Sequence, residues 1–132
     1  MDFEIDVSGE DIFTNDYTIV IADKNNLIRG FKFERSLIQI LRTRFGEGRY
    51  RYLPSHQGKA LFRIRIYCIV IYYLFKNINF KNQTKEINLE ICRDFQGHEK
   101  DINSNLKYFL EAKLGFKINI IYSRLSNSLR NY

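Results

Sequence analysis

The sequence predicts an α/β protein: a mixed sheet that opens with a three-strand antiparallel meander and continues through helices, a strand, a helix and a last strand. Three observations carry this. Residues 2–8, 86–92 and 116–122 alternate apolar and polar in steps of two, as half-buried strands do. Residues 17–22 and 27–33 follow the first run with only short, turn-rich links, which join antiparallel neighbours. Three later stretches, 34–46, 59–78 and 98–114, place apolar residues three and four apart, the helical step.

The elements follow in order. Phe3, Ile5 and Val7 fall on one side of the first strand, Glu4 and Asp6 on the other, and Ser8-Gly9 breaks the run. Ile12-Phe13 in the following loop are expected to turn inward. Tyr17-Thr18-Ile19-Val20-Ile21-Ala22 reads as apolar on both faces and so as a central strand. Residues 23–26, Asp-Lys-Asn-Asn, suit a turn, and in the returning strand Gly30 marks a bulge or a close approach. Leu37, Ile38, Leu41 and Phe45 line the first helix, with Ser36 near its start and Gly46 as its stop. Residues 46–58 are a loop or ribbon in which Arg alternates with Tyr.

Residues 59–78 carry two patterns. Phe62-Arg63-Ile64-Arg65-Ile66 alternates like a strand. Leu61, Ile64, Cys68, Ile71, Phe75 and Ile78 keep the helical step over a length few strands reach, which decides for a helix. Arg63, Arg65 and Lys76 interrupt the run, so no membrane span is expected. In the last helix Ile102, Leu106, Phe109, Leu110 and Leu114 share a face. Glu99 and Asp101 suit its first turn, and Gly115 ends it.

The 132 residues suit one domain, 1–132, with a real core. The wealth of Phe, Tyr, Ile, Asn and Lys is explained most simply by an AT-rich genome. Cys68 and Cys92 each lie in an apolar run, without metal-pair spacing and without a leader before them. Reduced thiols in a cytoplasmic protein are the expectation, a disulfide the alternative. The net charge of +6 is unevenly spread: residues 1–34 hold 8 acids and 3 bases, residues 35–78 hold 1 acid and 9 bases, and residues 79–132 hold 6 acids and 9 bases. An acidic first part beside a basic middle fits an acidic pocket next to a polyanion surface. Charges that merely solvate helix faces are the plainer reading.

The opening Phe3-Glu4-Ile5-Asp6-Val7-Ser8-Gly9 sets acids into a strand, where a buried carboxylate needs a partner or a metal. With Asp94 after Glu90-Ile91-Cys92 and the element order above, it resembles the ribonuclease H-like superfamily. It is also similar to a small group of archaeal proteins, themselves uncharacterised, assigned to that fold. The resemblance implies a fourth strand beside the first, with Asp6 and Asp94 as metal ligands for Mg²⁺ or Mn²⁺ and, with Glu99, as the catalytic acids. It implies a divalent-metal-dependent nuclease in which metal ions activate water and steady the leaving oxygen. DNA or RNA is the implied partner, held by the basic middle: Arg49, Arg51, Lys59 and Arg63. The sequence departs from the superfamily in its acids. Residues 59–78 hold no Asp or Glu, nor do residues 123–132. Only His98, Glu99 or Asp101, with Glu4 and Glu10 as stand-ins, are left to complete the set.

Each feature has a plainer reading. Asp6 fits a strand acid paired with Arg or Lys, or one capping the Ser8-Gly9 turn. Asp94 fits a helix-entry residue, and Glu99 a first-turn acid. His56 and His98 lack ligand spacing. Arg49-Tyr50-Arg51-Tyr52 either offers rings and guanidinium groups to bases or packs its Tyr inward with Arg in solvent. Two non-catalytic functions compete with the nuclease: a nucleic-acid-binding module on the same fold, and a structural subunit forming a homodimer through the Tyr-rich helix.

Overall fold

The computed structural model describes residues 1–9, 11–12, 17–24, 27–80, 85–92 and 97–123. The order is β1 (Asp2–Ser8), β2 (Thr18–Asp23), β3 (Ile28–Lys32), α1 (Arg35–Gly46), α2 (His56–Lys76), β4 (Glu86–Cys92), α3 (Glu99–Leu106) and β5 (Lys117–Ser123). This is the α/β class and element order expected from the sequence. Residues 59–78 are helical, because α2 runs for 21 residues and the short alternation inside it yields to the longer period.

The strands form one mixed sheet in the order β3-β2-β1-β4-β5. β1, β2 and β3 pair antiparallel, as short links require, and β1–β4 and β4–β5 pair parallel, with α2 and α3 in the crossovers. The helices lie on one face. Phe3, Ile5, Ile19, Ile21, Leu89 and Ile91 point into that layer and are buried. Ile64, Cys68, Ile71 and Phe75 of α2 meet them from above, with Phe75 edge-on to Phe3 at 4.9 Å. Tyr122 of β5 reaches the same layer, where its hydroxyl donates to Asn103 Oδ1 at 2.6 Å. Burial of this phenol, then the nearby Cys68 and Glu99, pushes its pKa up.

The opposite face of the sheet carries Asp2, Glu4, Asp6, Ser8, Glu86, Asn88 and Asn119, all exposed. No described helix covers it. β2 lies inside the sheet, between β3 and β1, as its apolar run predicts; on its second face Val20 and Ala22 are only half-buried, because the described helices gather on the other side. The expected irregularity at Gly30 is corrected. Gly30 pairs with Val20 in an unbroken ladder, and an added Cβ would meet neighbours only at ordinary contact distances.

Ile12 is buried as expected, whereas Phe13 lies outside the described residues. The first turn needs Gly9, whose φ is +97° and whose position would set a Cβ 3.0 Å from Tyr17 Cα. Asp23 closes the next turn, its Oδ1 accepting from Leu27 N–H at 2.8 Å. The expected helix over 98–114 changes winding part-way: α3 ends at Leu106 and residues Lys107–Lys113 continue as a π-helix. Both cysteines are free thiols. Cys68 is buried, which pushes its pKa up, and Cys92 is half-buried. No described helix is long and apolar enough to cross a membrane.

Candidate functional site

The end of the sheet where β1 and β4 finish collects most of the chemistry. α2 runs antiparallel to β1. Its Phe75 packs on Phe3 at the start of β1, and its Arg63 pairs with Asp11 just beyond the end of β1. The N-terminus of α2, with its partial positive charge, therefore faces the same end as Asp6. Ser55 caps it, Oγ accepting from Gly58 N–H at 3.1 Å.

Between α1 and the first turns of α2 lies a cleft of about 510 Å³, lined by Asp11, Arg42, Phe45, Gly46, Pro54, Lys59 and Arg63. Among the described residues, three cations and one carboxylate line it. Arg63 Nε lies 3.0 Å from Asp11 Oδ1 as an ion pair, without the alignment of a hydrogen bond. Both side chains are about 30 % exposed, with 29 % for Arg63 and 30 % for Asp11. Of the four residues expected to touch nucleic acid, Lys59 and Arg63 come together in this cleft. Arg42 joins them and was not singled out by the sequence. Its one signal was its place a single helical step before Phe45 and Gly46, at the end of the first helix.

Arg49 and Arg51 lie elsewhere. Arg49 Nε binds Glu47 Oε1 at 2.8 Å, on a hollow on the outer side of α1. Arg51 is exposed with φ +62°. The rings between them are committed to the fold. Tyr50 stacks on Phe62 at 4.9 Å and 22°, Phe45 on Phe62 at 4.9 Å, and Tyr52 tilts onto it at 5.5 Å. The Tyr rings therefore pack inward, the plainer of the two sequence readings. This stack is held down by Gly58, where a Cβ would stand 1.9 Å from Leu53 O.

Asp6 lies on the open sheet face and is exposed, its Oδ1 accepting from Val7 N–H at 2.8 Å. The burial cost that made a partner necessary does not arise. Ile5 pairs with Ile91, so Asp6 stands level with Cys92, the last residue of β4. The expected neighbourhood of the first and fourth strands is present. Asp94 and Glu10 lie outside the described residues. Glu99 Oε2 accepts from Gly97 N–H at 3.1 Å, at the entry to α3. His98 Nδ1 is 3.4 Å from Asp101 Oδ2. Among the described residues no three of Asp, Glu, His and Cys converge as a metal site.

A hydrogen-bonded ladder crosses the other end of the open face. Asn88 Nδ2 donates to Asp2 Oδ1 at 2.8 Å, and Asn119 Nδ2 donates to Asn88 Oδ1 at 2.9 Å and to Glu86 Oε2 at 3.2 Å. The Asn88 bond, helped by Lys24 at 3.5 Å, holds the Asp2 carboxyl below its usual pKa. Glu4 and Glu90 face each other beside this ladder across β1 and β4. They line a hollow of about 550 Å³.

Comparison with protein-family models, with curated proteins and with solved structures gives no match.

Proposed function

We propose that this chain is a nucleic-acid-binding protein of ribonuclease H-like type, which holds backbone phosphates in the cleft of Arg42, Lys59 and Arg63. The observation that carries the reading is the convergence of those three cations beside the N-terminus of α2. Phosphate oxygens suit both guanidinium forks and helix-end N–H groups. Asp11 tempers the charge and braces Arg63. The fold part of the reading is supported by β4 lying parallel beside β1 after an antiparallel meander.

Labelled DNA and RNA, single- and double-stranded, test it by fluorescence anisotropy across a salt series. Binding is expected to weaken steeply with salt, and Lys59→Ala to lower the slope of log K against log salt by about one. Binding that ignores salt, or that survives the combined Arg42→Ala, Lys59→Ala and Arg63→Ala changes, overturns the proposal.

A second reading is the divalent-metal-dependent nuclease, using Mg²⁺ or Mn²⁺. It is favoured by the position of Asp6, exposed on β1 and level with the end of β4. The described residues alone do not make the cation site, so the reading depends on Asp94. Cleavage of the same substrates with Mn²⁺, abolished by Asp6→Asn, would favour it. Salt-sensitive binding without cleavage leaves the binding module.

A further inference from the structure

α1 stands off the rest of the helical layer. Ile38 is its one buried residue, while Leu37 and Leu41 are half-buried and look across a groove toward Ile66, Ile69 and Tyr73 of α2. The groove measures about 550 Å³, within the range of small-molecule sites. Its wall is aliphatic and aromatic, and among the described residues one charged side chain lines it, Arg65.

Arg65 is held in place by neutral groups. Its Nη1 donates to Asn105 Oδ1 at 2.5 Å, and its guanidinium carbon lies 4.6 Å from the ring centre of Phe109 and 5.6 Å from that of Tyr108. Both rings belong to the π-helical stretch Lys107–Lys113, a winding that occurs often at functional sites. Among the described residues no carboxylate pairs with Arg65. Arg65 is half-buried and lines the apolar groove, and an apolar wall with a cation on it is complementary to an anion with an apolar body.

We infer that the groove binds an apolar carboxylate of fatty-acid type, with its tail between α1 and α2 and its head group on Arg65. Residues of the polyanion cleft take no part in it, so this site stands or falls separately from the proposed nucleic-acid binding.

Titration calorimetry and amide NMR shifts with decanoate, and with decan-1-ol as the uncharged tail, test the inference. Decanoate is expected to bind one to one, more tightly than the alcohol, and to shift amides of α1 and α2. Arg65→Gln is expected to weaken decanoate about tenfold and leave the alcohol unchanged, as loss of one charge-assisted contact should. Arg65→Lys should keep part of the difference. Ile69→Trp, which fills the groove, should abolish both ligands; this variant decides the matter if Arg65→Gln loosens α3. No decanoate binding, equal binding of acid and alcohol, or binding that survives Ile69→Trp overturns the inference. So does a dimer, seen by sedimentation, that must dissociate before the ligand binds, since a second copy would then be the occupant.

Discussion

The two faces of the sheet are built from the same strands and differ in almost every respect. On the helix side Phe3, Ile5, Ile19, Ile21, Leu89 and Ile91 are sealed from water. On the other side the alternate positions hold Asp2, Glu4, Asp6, Asn88 and Asn119, all in solvent. Parallel pairs such as β1–β4 and β4–β5 are usually covered on both faces. Among the described residues no layer covers the second face, which carries a polar ladder. The difference separates two environments: apolar side chains are sealed under the helices, while the polar residues named on the other face lie in solvent.

Truncating one residue on each side gives the sharpest test of that division. Phe3 is 2 % exposed and packs on Phe75 and Phe80. Phe3→Ala is expected to cost about 3–5 kcal/mol, whereas its neighbour Glu4→Ala should stay within about 0.5 kcal/mol. Urea denaturation of both variants measures this. Similar losses for the two would mean that the open face is covered after all.

Next in size is the glycine that brings the aromatic loop onto α2. Gly58→Ala places a Cβ 1.9 Å from Leu53 O and 2.7 Å from Leu53 C, so backbone has to move. A loss of about 1–3 kcal/mol is expected, the range for forcing extra volume into a packed site. The Tyr50 and Tyr52 rings should leave Phe62, visible as altered near-ultraviolet circular dichroism. An unchanged midpoint and spectrum would show that the loop adapts without cost.

Much of the covered face was legible in the sequence because periodicity reports burial. The stripe of Ile64, Cys68, Ile71 and Phe75 marked α2, and all four are buried. The charge cluster was only half legible. Lys59 and Arg63 lie one turn apart on one helix and so share a face, but Arg42 reaches them only because the 46–58 loop folds back over Gly58. That path depends on a tertiary contact with Leu53 that leaves no periodic trace. Alternation in β1 showed that Asp6 opposes Ile5, not which side the helices would choose. The π winding after Leu106 had no signal, since the apolar spacing of Ile102, Leu106 and Leu110 suits an ordinary helix.

Within the open face, charge makes a smaller difference. Glu4 and Glu90 stand directly opposite, and no cation meets either among the described residues. Like charges in that position repel, so Glu90→Lys should stabilise the fold by about 0.2–1 kcal/mol at low salt. The gain should fade in high salt, because the pair is near solvent. Thermal melts at two ionic strengths give the answer; destabilisation at low salt would mean that the two carboxylates share a stabilising partner.

The smallest expected effect is the pH response of the ladder itself. Asp2 is exposed, and its carboxyl is held below the usual carboxylate value mainly by the Asn88 amide, with Lys24 adding to it. A depressed pKa in the folded state contributes stability above the unfolded value, near about 4, and that contribution is lost as pH falls through the folded value. Stability should thus decline slightly on acidification below about pH 4. Asn88→Ala should move the Asp2 midpoint back up toward the ordinary carboxylate value and remove that part of the decline. Carboxyl NMR titration of Asp2 in the two proteins reads the shift directly. If the midpoint does not move, Lys24 rather than the cross-strand amide sets the charge at this end of the sheet, and the open face is held by ion pairing instead of by its asparagine ladder.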